Sequence, residues 1–194
     1  MPIYLYGLQR SGTNVISTWL KSTYNIEIQN ELISHDRNSI LHKHCRIYND
    51  KKIIPNTDVE KQYHNDYKIN SIKDLDKLLE DENNDNKYIL IYKDIYSWLL
   101  SIESWAKKCK WITNKKELFI KDYLEYINKW NKIKNNRVLT INYLDFLKYA
   151  ENKNSNFISN INNFLGNEIN NSKIPDKVMC SNKFKKNRRD YYLK

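Results

Sequence analysis

Glycine occurs three times in 194 residues, and two of the three, Gly7 and Gly12, stand five positions apart beside the N-terminus. An average chain carries glycine at about 7% of its positions, so a chain this poor in it keeps glycine where a side chain does not fit. PIYLYG (2–7) reads as a short buried strand, and Val15, Ile16, Trp19 and Leu20 then take helical spacing. GLQRSGTN (7–14) is thereby a strand-to-helix loop of the form G-x4-G. Gly7 permits a sharp exit from the strand, and Gly12 lets the backbone close around an oxyanion. The amides of residues 10–14 face that anion from a helix N-terminus, with Arg10, Ser11 and Thr13 as further donors. The competing reading is a glycine turn that binds nothing. The Walker form requires Lys and then Ser or Thr directly after the second glycine. Thr13 and Asn14 stand there instead, which argues against ordinary ATP or GTP hydrolysis.

Further along, IEIQ (26–29) reads as a second strand, and residues 30–70 are irregular and hold all four histidines. IKDLDKLLE (72–80) has the pattern of an amphipathic helix. KYILIY (87–92) is a continuous apolar run of strand length, as expected of a strand covered on both faces. Ile95, Trp98, Leu99, Ile102, Trp105 and Ala106 have helical spacing, as do Ile120, Tyr123, Leu124, Ile127 and Trp130. RVLTIN (137–142) is another strand, YLDFLKYA (143–150) opens a helix, and FISNINNFLG (157–166) is a last helix stopped by Gly166. Strands alternating with helices predict one domain over residues 1–194, a three-layer α/β/α fold with a mostly parallel central sheet, and the strand–G-x4-G–helix loop at 7–14 makes the expected fold a P-loop-containing one. The ligand is expected beyond the carboxyl ends of the strands.

Lys and Arg total 33 against 23 Asp and Glu, a net charge of +10 that invites a nucleic-acid partner. The 28 asparagines and the interleaving of lysine with acid, as in IKDLDKLLEDENNDNK (72–87), favour compositional drift over a dedicated polyanion surface. The exception is the tail at 182–194, where five basic residues fall between Lys183 and Arg189. Cys45, Cys109 and Cys180 are odd in number and widely spaced, and they offer neither a zinc site nor a disulfide framework. No apolar run reaches the ~18–20 residues of a membrane span, and residues 1–20 lack the pattern of a secretory leader. These features predict a cytoplasmic protein without a membrane span.

QRSGTN (9–14), entered from an N-terminal strand, resembles the phosphosulfate loop of P-loop sulfotransferases, in which Lys or Arg precedes Ser-Gly-Thr. In that family an Arg at a strand end is followed eight residues later by Ser, and the two hold the donor's 3′-phosphate. Here Lys93 and Ser101 take those positions in KDIYSWLLS (93–101). TINYLDFL (140–147) is similar to a strand followed by Tyr-Glu-Asp-Leu, with Tyr143 and Asp145 retained and Leu144 in place of Glu. NFLG (163–166) and RRDYY (188–192) match a late segment and the basic tail that covers the donor. The matches fall in the family's order and span most of the chain. Lys93 puts a point charge where the family has a bidentate fork, and Ile95 stands where it often has Pro.

The resemblance implies in-line transfer of a sulfuryl group from 3′-phosphoadenosine 5′-phosphosulfate to a hydroxyl or amine, leaving adenosine 3′,5′-bisphosphate and needing no metal. It implies that Arg10 contacts the bridging oxygen, and that Gly7, Ser11, Gly12, Thr13 and Asn14 form the phosphate cradle. Tyr143 then contacts the adenine, and Arg188 and Arg189 join Lys93 and Ser101 at the 3′-phosphate. LHKHC (41–45) is similar to the stretch that supplies the family's general base, with His44 the first choice, His42 the second, and Glu31 and His35 outside candidates. In an extended segment His42 and His44 share a face and Lys43 points the other way. The acceptor pocket is expected to be walled by residues 30–70 and 107–118, a compact site open to a small-molecule metabolite, a glycan end or a tyrosine. Two other classes remain: a catalytically inactive module with a basic polyanion-binding surface, and a small nucleotide kinase.

Overall fold

The structure, a computed structural model, describes residues 1–30, 43–44, 79–80, 85–108, 116–152, 155–167 and 169. In chain order these form β1 (Ile3–Tyr6), α1 (Thr13–Tyr24), β2 (Lys87–Tyr92), α2 (Ile95–Lys108), α3 (Lys116–Lys132), β3 (Val138–Asn142), α4 (Tyr143–Asn152) and α5 (Ser155–Leu165). The sheet has the order β1-β2-β3 with both pairings parallel, so Leu5 lies opposite Ile89 and Ile91 opposite Ile141. Among the described residues the chain is therefore an α/β protein with a parallel three-stranded sheet and five helices.

Strand alternation sorts the core into two clusters. Tyr6, Tyr88 and Leu90 point to one face, where Trp98 and Ile102 of α2 and Phe119, Tyr123, Tyr126 and Trp130 of α3 cover them. Ile3, Leu5, Ile89, Ile91 and Ile141 point to the other, against Trp19 and Leu20 of α1, Phe146 of α4 and Ile161 of α5. Burial on both faces explains why β2 reads as an unbroken apolar run. Trp19 anchors the second cluster, with the rings of Tyr24, Phe146, Tyr149 and Phe157 between 5.2 and 6.1 Å from its own. Among the described residues no helix is long and apolar enough to cross a membrane.

Residues 26–29 do not form the expected strand. Ile28 makes a single parallel bridge to Ile3, and the Gln29 amide donates to the Ile3 carbonyl at 2.9 Å. The pairing is then completed by a side chain. Asn30, fully buried, accepts from the Leu5 amide through Oδ1 at 2.9 Å and donates from Nδ2 to the Leu5 carbonyl at 2.7 Å. A carboxamide carries the same donor and acceptor as a peptide unit, so Asn30 satisfies the outer edge of β1 without a second strand. Of the helix expected at 72–80, only Leu79 and Glu80 fall within the described residues. The Leu79 carbonyl accepts from the Arg137 guanidinium. The helix over 155–165 stops as anticipated: Gly166 has φ +75° and its amide donates to the Asn162 carbonyl at 2.8 Å.

Tyr123 ties α3 to the end of β2, its hydroxyl donating to the Lys93 carbonyl at 2.6 Å. Burial, with smaller contributions from Asp94 and Tyr92, pushes this phenol from 10.0 up to about 12. The folded protein thus favours the protonated phenol, while the unfolded chain releases its proton at lower pH. The resulting stability is complete below pH 10 and is lost as pH rises from 10 to about 12. Tyr123→Phe is expected to lower stability near neutral pH by about 1 kcal/mol through the lost hydrogen bond. It should also flatten the alkaline decline, as read from urea unfolding at neutral and alkaline pH. An unchanged alkaline slope in the variant would exclude Tyr123 as its source.

Candidate functional site

The site begins where the helices diverge. α1 leaves β1 on one face of the sheet and α2 leaves β2 on the other. Adjacent parallel strands whose helices part in this way open a crevice at their carboxyl ends, where open α/β sheets bind ligands. The 7–12 loop and Lys93 are the two lips of that crevice.

The loop is held in an unusual backbone conformation. Arg10 has φ +70° and Gly12 φ +98°, both in the left-handed region. A Cβ on Gly12 would fall 2.4 Å from Cδ2 of Tyr143, so strain and contact both require glycine there. Gly7 has a different reason, since its φ is not left-handed. A Cβ at Gly7 would meet the Ile91 carbonyl oxygen at 2.6 Å and Ser11 Oγ at 2.7 Å. Close passage beside β2, not a special turn, excludes a side chain at Gly7.

The expected donors do not all have the same place. Ser11 is buried, and both its amide (3.1 Å) and its hydroxyl (2.7 Å) donate to the Leu8 carbonyl. Its protons brace the loop from within. The Gly12 carbonyl accepts from the amides of Val15 and Ile16, each at 3.1 Å, which starts α1 without a side-chain cap. The first turn of α1, with buried Thr13 and exposed Asn14, therefore presents its N-terminal amides and the positive end of the helix dipole to the crevice.

Residues 43 and 44 form a turn beside the loop, not an extended strand. Gly7 donates its amide to the Lys43 carbonyl at 2.9 Å, and Lys43 Nζ donates to Asn14 Oδ1 at 2.7 Å. His44 Nδ1 lies 2.7 Å from the Gly7 carbonyl. The turn thus brings both side chains to the loop, where an extended segment would have sent Lys43 away. A carbonyl only accepts, so Nδ1 carries the proton and the lone pair of the neutral ring is on Nε2. His42, Glu31, His35, Arg188 and Arg189 lie outside the described residues.

Across the crevice, Lys93 is 6% exposed at the end of β2, and its Nζ sits 4.7 Å from the centroid of the Tyr143 ring. Asp94 follows and caps α2, its Oδ1 accepting from the Ser97 amide at 2.9 Å. Tyr143 therefore joins Lys93 to Gly12, one ring touching both lips. It is half-buried and leans on Phe146 at 6.1 Å, so part of its surface serves packing. Ser101 is buried in the second turn of α2.

Two residues not singled out from the sequence as site residues also reach the loop. Trp98 Nε1 donates to the Gln9 carbonyl at 2.9 Å, and the Arg10 guanidinium carbon lies 4.8 Å from the centroid of the Trp105 ring. Their spacing of seven, two helical turns, was the available signal, but it also reads as ordinary core. Helix amides, a buried ammonium, a guanidinium and an imidazole thus lie at the 7–12 loop and the end of β2, a set of groups chemically suited to an oxyanion. Among the described residues no cluster of His, Cys, Asp and Glu could hold a metal ion. A scan against protein-family models and searches of curated proteins and of solved structures return no match to the chain.

Gly12→Ala is expected to cost about 1–3 kcal/mol from backbone strain and the Tyr143 contact together. In a Tyr143→Ala background the same change should cost less, because only the φ penalty remains. Equal costs in both backgrounds, measured by denaturant unfolding, would show that the ring does not rest on the loop.

Proposed function

We propose that the chain is a sulfotransferase with a three-layer P-loop fold, using 3′-phosphoadenosine 5′-phosphosulfate as donor and a small hydroxyl or amine compound as acceptor. The observation that carries this reading is the pairing of a left-handed, glycine-closed loop at a helix N-terminus with a buried lysine on the opposite lip of the same crevice. The first amides of α1 receive the donor's 5′-phosphate, and Lys93 with Ser101 receives the 3′-phosphate. Two phosphates on two separate lips suit a 3′,5′-substituted nucleotide better than a linear triphosphate.

The chemistry follows from the groups around the loop. His44, held at Nδ1 by the Gly7 carbonyl, offers Nε2 to the acceptor's proton as the acceptor oxygen or nitrogen bonds to sulfur. The bond between sulfur and the bridging oxygen breaks, and its electron pair leaves with the 5′-phosphate. Arg10 and the α1 dipole stabilise that charge, and Lys43, fixed on Asn14, adds a second cation beside the loop. Because the groups are in place before reaction, catalysis rests on positioning and electrostatics.

Lys43 also gives the kinase reading a specific observation, since it brings to Asn14 a cation that the sequence does not place after Gly12. Calorimetry with adenosine 3′,5′-bisphosphate and, separately, ATP distinguishes the two. The expected result is a bisphosphate dissociation constant below millimolar, weaker ATP binding, and a loss of about tenfold or more on Lys93→Ala, in line with a charged hydrogen bond. His44→Gln should leave binding intact and abolish transfer. Tight ATP binding with no response to the bisphosphate would replace this reading with the kinase.

A further inference from the structure

Arg10 is the loop residue with the largest reach and the least ordinary backbone. In the left-handed region at φ +70° its side chain leaves the loop toward α2. Its guanidinium carbon then stands 4.8 Å from the centre of the Trp105 indole, within the range of a cation–π contact. One residue earlier, the Gln9 carbonyl accepts from Trp98 Nε1 at 2.9 Å. Positions 98, 101 and 105 recur at three and four residues and so share one face of α2. One helix face therefore grips two consecutive loop residues, the first by its backbone and the second by its side chain, and buried Ser101 lies on that same face.

We infer that Trp105 is the positioning residue for Arg10, setting the direction in which the loop's guanidinium meets the bound nucleotide. This rests on the sulfotransferase reading of the same site. A guanidinium carries its N–H groups in one plane as a fixed fork, so a ring under it sets the fork's orientation, which an ammonium does not reproduce. Lys108 Nζ lies 5.5 Å from the same ring centroid, so a second cation shares the indole. Two like charges on one ring repel, and an anion arriving at Arg10 relieves that repulsion. Trp105 thus acts through Arg10, without itself having to touch the nucleotide.

The test is calorimetric binding of adenosine 3′,5′-bisphosphate to the full chain and its variants, with melting temperatures as the control for folding. Trp105→Leu should weaken binding about tenfold, within the range of a partly desolvated cation–π contact, and Trp105→Phe should restore most of it. In an Arg10→Ala background, Trp105→Leu should have no further effect, a non-additivity that general loss of packing does not produce. If Trp105→Leu does not fold, Arg10→Lys serves instead, because it keeps the charge and removes the planar guanidinium. Its affinity should fall by a similar factor. Wild-type affinity in Trp105→Leu or Arg10→Lys, or equal losses from Trp105→Leu with and without Arg10, would overturn the inference while leaving the donor assignment intact. Failure of the wild-type protein to bind the bisphosphate would remove the donor assignment and the inference with it.

Discussion

The helices that follow β1 and β2 leave the sheet on opposite faces, and the candidate site exists because they do. β1 has the 28–30 segment on one edge and β2 on the other. Right-handed crossovers that set out toward opposite edges must carry their helices over opposite faces. The space between α1 and α2 then opens at the ends of β1 and β2. Gly7 passes within 2.6 Å, at a notional Cβ, of the Ile91 carbonyl because the loop must turn away from β2 at that boundary. Asn30 matters to the same geometry from a distance, since it satisfies the β1 edge that would otherwise need a further strand.

Two of the cations at the crevice lie on aromatic faces, Lys93 on Tyr143 and Arg10 on Trp105. A cation–π contact contributes about 0.5–2 kcal/mol, whereas a hydrogen bond to a charged group contributes about 1.5–3 kcal/mol. The ring contact is therefore strong enough to orient the charge and not strong enough to withhold it from an anion. Burial reinforces this at Lys93, because the effective dielectric around a desolvated ammonium is lower than at the surface. Aromatic residues here do two things at once: they fill the core and aim the charges.

The strands at 2–7, 87–92 and 137–142 could be read from the chain because β-branched and aromatic runs bounded by polar residues admit few other structures. The loop could be read because glycine is so scarce that its placement carries information. What escaped depends on contacts between residues distant in sequence. Asn30 belongs to a polar stretch, and nothing in its neighbours marks it as the residue that completes β1. Residues 26–29 alternate like a strand, yet only Ile28 bridges. An extended chain would send the Lys43 and His44 side chains to opposite faces, and the turn at 43–44 overrides that alternation. Trp98 and Trp105 carry the helical period expected of core residues, and their second role appears only when the loop is placed beside them.

Tyr143 links these parts. It opens α4 directly after β3, where the Asn142 side chain accepts from the Leu144 amide at 2.9 Å and fixes the bend. Its ring then reaches Gly12 on one side and Lys93 on the other. The third strand thus sets the separation of the two lips, although it contributes no charged group to the crevice between β1 and β2. This arrangement gives a physical sense to lysine at the end of β2. An ammonium on a flexible stem can sit over the Tyr143 face and still turn toward a phosphate, as a point charge with no fixed fork to align. At Arg10 the planar group suits the larger face of Trp105, and the left-handed loop backbone sets its direction of approach.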